Sequence, residues 1–437
     1  MYSFSTDEAS RDVMITGTGL CTPLGLSGSQ TWTALTEGRT AARGITTAEL
    51  QHWEQLEQLT GFAPAGCPVD HSSVKRHLFE RPPLPGSPQI PDHWMLEPTL
   101  AMTTVALHDA CDHAQLNVAQ VQAAKAGVCI GSSKGSLRAA EHWYSARRLD
   151  ANNRRLQTTG PHAISGFPLL TDNAAKLTAR LLQIQGPVQV PVAACASGLL
   201  AILQAARLIS SGVCDLCVAG AADASLRPEI LASFHRLGVT SRSRPAETAC
   251  KPFDQHRDGF LIGEGAGILI LESRRHAQAR GARPLCQIVA GTWASDPTGM
   301  TQVDESGNTI ARLLQEGTRL CGQVPDVIGF HGTGTSSNDL AEARGVIQTA
   351  PAAICYATKG ATGHLLGASG AVEAGLQAIA IQKRLIPGTR NHEAADPAFQ
   401  EIRVTGGCVA APHDALWARL SLGFGGHAGA AFFRPVR

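Results

Sequence analysis

Three residues in three glycine-rich settings are equipped for chemistry at a carbonyl. Cys195 lies in Val190-Pro-Val-Ala-Ala-Cys195-Ala-Ser-Gly198, where an apolar segment gives way to helical spacing. A side chain on so tight a strand-to-helix bend is presented as on a nucleophile elbow. The bend also sets the sulfur at a helix N-terminus, where the dipole favours thiolate and lowers the thiol pKa. A packed small hydrophobe is the ordinary reading of a cysteine, and at this position the two readings stand level. His331 opens His331-Gly-Thr-Gly-Thr335 directly after the apolar Val327–Phe330. His364 lies in Lys359-Gly-Ala-Thr-Gly-His364-Leu-Leu-Gly-Ala-Ser-Gly370. Glycines let backbone approach a ligand closely, and imidazole N–H groups can donate to a developing oxyanion.

Other patterns carry less. Gly131-Ser-Ser133-Lys-Gly135 matches G-x-S-x-G after a strand and makes Ser133 an alternative nucleophile, although short matches arise readily in a glycine-rich chain. Gly17-Thr-Gly19 lacks the third glycine of a dinucleotide fingerprint, since Thr22 stands there. Cys214-Asp-Leu-Cys217 falls within an expected strand, where residues three apart face opposite ways and could not share a metal. Arginines at 147–148, 154–155, 274–275, 242 and 244 read as solvated faces, or else as docking points for an acidic partner.

Around these residues the pattern is alternating strand and helix. Strands are expected at Val13–Thr16, Ala126–Ile130, Val188–Ala194 (buried), Val213–Ala221, Val327–Phe330, Ile354–Thr358 and Ala418–Leu422, with apolar runs at Ile268–Leu271 and Ala428–Phe433. Ser27 is an expected N-cap. Helices are expected near Thr99–Cys111, from Leu199 to a stop at Gly212, and over Leu366–Leu385. Residues 63–98 hold eight prolines and little periodicity, which suggests a long surface excursion serving as a lid or an interface arm. A boundary near residue 250 is suggested by the polar, glycine-rich connection that follows it.

Composition agrees with an α/β chain. Of 437 residues, 45 are Gly and 24 Pro, too many for a helical bundle. Lys+Arg total 37 and Asp+Glu 36, so a net charge of +1 gives no footprint for nucleic acid. Met1–Asp12 has no apolar core, so no signal peptide is expected. Leu181–Ala206 is uncharged and long enough to span a membrane, but Gln183, Gln185, Gly186, Pro187, Gln189 and Pro191 within it oppose a span. A cytoplasmic protein is expected. Twelve scattered cysteines in so long a chain read as buried thiols rather than a disulfide framework.

Taken together, Cys195, His331 and His364 in these settings resemble the β-ketoacyl-acyl-carrier-protein synthases of the thiolase-like superfamily. Val13–Gly25, Val188–Gly198, His331–Asp339, Lys359–Glu373 and Gly423–Gly426 are similar to family segments in the family's order. So is Lys251-Pro-Phe-Asp-Gln-His-Arg-Asp-Gly-Phe-Leu-Ile-Gly-Glu-Gly-Ala-Gly267. The resemblance spans nearly the whole chain and is weakest over 63–98. It implies a duplicated thiolase-like α/β fold, layered α-β-α-β-α with two mixed five-stranded sheets. Residues 1–250 would carry the cysteine and 251–437 the histidines.

The implied reaction is decarboxylative condensation of an acyl group on Cys195 with malonyl-acyl-carrier protein. His331 and His364 would hold the thioester oxygen and Lys359 would support their loop. The N–H groups of Cys195 and Phe424 would form an oxyanion hole, with Phe424 as a gate. Thr333 and Thr335 would bind pantetheine. No metal or dissociable cofactor is implied. The partners would be acyl carrier protein and a second copy of the chain, or a chain-length subunit in a heterodimer. Fatty-acid, polyketide and polyene synthesis all remain open, as does the more distant serine hydrolase built on Ser133. Arg419 and Leu420 stand where the family commonly has Asn-Ser or Ser-Asn, which tells against the structural cation of some members. His427-Ala428 replaces the usual Thr-Asn.

Overall fold

The computed structural model describes residues 2–3, 9–46, 49–50, 64–90, 94–95, 97–138 and 170–436. Ten strands set the architecture. The first five are β1 (Val13–Cys21), β2 (Ala126–Gly131), β3 (Val188–Gln189), β4 (Leu216–Asp223) and β5 (Gly265–Ser273). The second five are β6 (Cys286–Ser295), β7 (Val327–Gly329), β8 (Ile354–Tyr356), β9 (Trp417–Gly423) and β10 (His427–Arg434). The order across the first set is β3-β2-β4-β5-β1, and across the second β8-β7-β9-β10-β6. Counted within each set, both read third, second, fourth, fifth, first. Directions repeat too: β2 is parallel to β3 and β4, as β7 is to β8 and β9, and the remaining pairs are antiparallel. The duplication expected from resemblance is therefore visible in the topology. The two expected sheets are hydrogen-bonded into one, because Val13–Ile15 of β1 pairs with Cys286–Ile288 of β6. With Tyr2–Ser3 and Arg403–Val404 added, the sheet has 12 strands. The connection after residue 250 leads into β5, which lies between β1 and β4 of the first set.

The five longest helices among the described residues are α1 (Pro98–Ala114), α2 (Ser197–Ser210), α3 (Asn308–Cys321), α4 (Ser336–Thr349) and α5 (Ser369–Lys383). Helices α2 and α5 pack on each other and on strands of both sets, whereas α1 covers β1 and β5 from outside and α3 covers β6 and β10. A central helix must bury its whole circumference, and α5 does so from Ser369 to Ile381. Its core joins residues of both halves, with separate outer cores under α1 and under α3 and α4. Among the described residues, no helix is long and apolar enough to cross a membrane.

Two sequence readings are corrected. The buried strand expected over Val188–Ala194 is a two-residue strand at the sheet edge, with Val188 and Val192 exposed. Pro187 and Pro191 have no N–H for a longer ladder. Residues 63–98 are not a bare excursion. Ala65–Cys67 pairs with Ile262–Gly263, and a helix over His71–Glu80, capped by Asp70, buries Val74 against the core under α1. Of the arginine pairs, Arg274 and Arg275 bind Asp12 and Asp215, while 147–148 and 154–155 lie outside the described residues.

Candidate active site

Cys195 sits in a three-residue turn, Ala194–Ala196, directly ahead of α2. Ala194 adopts φ 47°, a conformation costly for a residue with a Cβ and typical of strained functional turns. Ser197 holds the turn: its Oγ accepts the Ala193 N–H at 2.9 Å and donates to the Ala194 carbonyl at 2.7 Å. Burial pushes the Cys195 thiol up to about 11, against the pull of the Lys134 and Lys359 ammonium groups. A helix N-terminus by itself lowers a thiol pKa. Desolvation of the charged form outweighs the dipole here.

His331 follows β7, and its loop is fastened on both sides. The Phe330 N–H donates to the Tyr356 carbonyl at 2.8 Å. The N–H groups of His331 and Gly332 donate to the two Glu342 carboxyl oxygens at 2.6 and 2.7 Å. The Lys359 ammonium donates to the His331 carbonyl, to Glu373 at 2.7 Å, and lies 3.3 Å from His331 Nδ1. An ammonium has only donors, so Nδ1 must offer its lone pair and the ring proton falls on Nε2. Burial pushes the Glu342 carboxyl up to about 8.

His364 is pinned by its backbone to Leu261 and Gly263, at 2.8 and 3.0 Å. Its Nδ1 lies 2.9 Å from Ser369 Oγ at the start of α5. The two imidazoles meet edge to face, with centroids 5.2 Å apart. Burial, then the Lys359 charge, holds both well below the usual histidine range, so both are neutral near pH 7.

These elements converge on one cavity of about 510 Å³, lined by Cys195, His331, Thr333, Thr335, His364 and Phe424. Lys359 stands behind His331, fully buried. Thr333 and Thr335 place their hydroxyls 2.9 Å apart. Phe424 lies in the β9–β10 turn and stacks on Phe234, with centroids 6.0 Å apart. Gly423 allows this turn to reach the cysteine: a Cβ there would stand 2.6 Å from the Ala193 carbonyl oxygen and 3.1 Å from the Cys195 nitrogen. Ser133 is elsewhere. It does not line the cavity, and its hydroxyl bonds Asp223 and accepts from Lys134 at 2.7 Å.

The sequence alone marks no role for Glu342, Glu373, Phe234 or Phe260, the last of which meets the His364 ring edge to face with centroids 4.8 Å apart. The signal for Glu342 was polar residues on the inward face of an amphipathic helix: Asn338, Asp339 and Glu342 are all buried on α4. The reading of Cys214 and Cys217 as opposite-facing also fails, because β4 begins at Leu216. Their sulfurs stand 2.9 and 3.3 Å from the point a Cβ on Gly127 would occupy. Nor do the residues around Arg419 fit a bound structural cation. Its guanidinium is itself the positive charge there, taking the Phe330 carbonyl and the Gln377 amide oxygen.

Comparison with known proteins agrees with this geometry. A model described as the β-ketoacyl synthase N-terminal domain matches residues 10–277, and one described as the C-terminal domain matches 285–393. The chain is 33% identical over 403 residues to 3-oxoacyl-acyl-carrier-protein synthase 2 of Rhizobium meliloti (strain 1021), covering 87% of this chain and 89% of that one. Among solved structures it resembles the ishigamide ketosynthase/chain length factor, with TM-score 0.83, 25% identity and coverage of 98% and 100%. Its fold is also that of a type II polyketide synthase ketosynthase solved with its acyl-carrier protein, with TM-score 0.84, 24% identity and coverage of 98% and 100%. With both family models matched in order across the two repeated halves, the chain belongs to the β-ketoacyl synthase family of condensing enzymes.

Proposed function

We propose that this chain condenses an acyl group held on Cys195 with malonyl-acyl-carrier protein, releasing carbon dioxide and a 3-ketoacyl thioester. The observation that carries the reading is the convergence of one cysteine and two neutral imidazoles on a single cavity. Cys195 Sγ attacks the acyl thioester, the bond to the carrier sulfur breaks, and the thiol proton leaves with the carrier thiol. The N–H groups of Cys195 and Phe424 hold the intervening oxyanion. Malonyl thioester then loses carbon dioxide, and the electron pair of the broken bond moves onto the thioester oxygen. His331 and His364 donate to that oxygen through Nε2–H. The enolate carbon attacks the Cys195 thioester, and the sulfur departs as thiolate. Lys359 fixes the tautomer of His331. Thr333 and Thr335 bind the pantetheine arm, and Phe424 gates the passage between acyl and malonyl sides.

The half through β5 supplies the nucleophile, and the half from β6 supplies the histidines. Acyl carrier protein is the delivering partner. A second copy pairs along the exposed β3 edge, where Val188 and Val192 lack cover in the single chain. A chain-length subunit on the same edge is the second reading, supported by the likeness to the ishigamide ketosynthase/chain length factor. Peptide mass spectrometry after loading with acyl-carrier protein tests the assignment. Acyl mass on Cys195 is expected; acyl mass on Ser133 indicates a hydrolase, and acyl mass on neither contradicts the nucleophile.

A further inference from the structure

Arg419 lies in the middle of β9 with its side chain wholly buried. Among the described residues no carboxylate forms an ion pair with it, which is unusual for a charge removed from water. Its partners are neutral. Nε–H donates to Gln377 Oε1 at 3.1 Å, Nη1 donates to the Phe330 carbonyl at 3.3 Å, and Nη2 donates to the Tyr356 hydroxyl. The Tyr356 hydroxyl in turn donates to Gln377 Oε1 at 3.1 Å. Gly329 makes the space, since a Cβ there would stand 2.1 Å from the guanidinium carbon.

We infer that Arg419 is a positioning residue for decarboxylation: a cation built into the chain, which grips the Phe330 carbonyl and thereby sets His331. Two consecutive carbonyls, of Phe330 and His331, each receive a buried cation, Arg419 and Lys359. The N–H groups of His331 and Gly332 are held by Glu342 from the other side. The loop is thus held by two cations on its carbonyls and by the Glu342 carboxyl on its N–H groups. The charged or titratable groups acting on His331 are Lys359, His364 and Arg419, with Glu342 on its backbone. Lys359 has its counter-charge in Glu373, and among the described residues Arg419 has none within ion-pair distance. The surplus positive charge complements an enolate forming in front of His331.

The inference rests on the role proposed for His331, so a His331→Ala variant is measured in parallel. Two rates are read on each protein: carbon dioxide release from malonyl-acyl-carrier protein, and acylation of Cys195. Arg419→Met should slow carbon dioxide release roughly 10- to 100-fold. The loss should fall in kcat rather than KM, with Cys195 acylation kept. Arg419→Lys should recover part of the loss, and added guanidinium should recover part of the loss in Arg419→Ala. Replacing potassium by tetramethylammonium should leave the unsubstituted enzyme unchanged. If Arg419→Met does not fold, Gly329→Ala, which displaces the guanidinium without removing it, should show the same selective loss. Carbon dioxide release at the unsubstituted rate in the folded variant, or equal loss of both rates, overturns the inference. Unimpaired release by His331→Ala instead overturns the assignment of His331.

Discussion

The chain builds the same elbow twice and equips each copy differently. Cys195-Ala196-Ser197-Gly198 opens α2, and Gly367-Ala368-Ser369-Gly370 opens α5. Each is preceded by a non-glycine residue at φ 47°, Ala194 in one and Leu366 in the other, and each runs through a three-residue turn into its helix. The last glycine of each motif lets the two helices touch. A Cβ on Gly198 would stand 2.7 Å from the Ala371 nitrogen, and one on Gly370 2.7 Å from the Leu199 nitrogen.

The side chains then part company. The first elbow presents a thiol. At the second, a Cβ on Gly367 would meet the Ser133 Cβ at 2.8 Å, and its N–H donates to Asp223 at 3.2 Å. The serines divide likewise: Ser197 closes its own turn, whereas Ser369 reaches His364. On the function proposed above, a few side chains divide a duplicated backbone into a nucleophile half and an oxyanion half.

Each difference between the elbows can be tested. Removing the one thiol, by Cys195→Ala, should lower condensation on the order of 10³-fold or more, read as 3-ketoacyl product; measurable turnover near the unsubstituted rate would place the nucleophile elsewhere. The raised thiol pKa gives the next largest effect. Because the folded thiol sits near 11, thiolate is scarce at neutral pH and grows as pH rises. Alkylation of Cys195 by iodoacetamide should climb about tenfold per unit between about pH 7 and 9, and a plateau in that range would mean a dipole-activated thiolate.

Placing a thiol on the second elbow, by Gly367→Cys, should cost about 1–3 kcal/mol through overpacking against Ser133. A denaturant midpoint equal to the unsubstituted protein would show that the space is larger than the contacts indicate. Ser369→Ala should slow carbon dioxide release about tenfold by freeing the His364 ring. Its counterpart Ser197→Ala should cost about 1 kcal/mol of stability and leave carbon dioxide release alone; the reverse pattern would undo the division between the serines.

Much of this was legible in the sequence because it depends on local patterning. Small residues around Cys195 and the glycines beside His331 and His364 mark strand ends without any knowledge of tertiary contacts. The alternation of strand and helix carried the fold class. What escaped notice depends on burial and long-range approach. The thiol's pKa is decided by desolvation rather than by its helix, and nothing near Cys195 in sequence reports that. Lys359 is 28 residues from His331, and Arg419 is 89 from Phe330, so their meeting requires the folded sheet. At Cys214 and Cys217 the strand begins three residues later than the apolar pattern suggests, which removes any argument from alternation. Apolar composition around Val188 suggests a buried strand without reporting coverage, and the flanking prolines shorten the ladder.

The central claim is that the two elbows serve separable half-reactions, and His364→Ala measures it most directly. With malonyl-acyl-carrier protein and an acyl-carrier donor in one experiment, carbon dioxide release and acyl mass on Cys195 are followed together. The expected result is full acylation of Cys195 with carbon dioxide release reduced on the order of 100-fold or more. Parallel loss of both, in a protein that remains folded, would contradict the division of labour between the two halves.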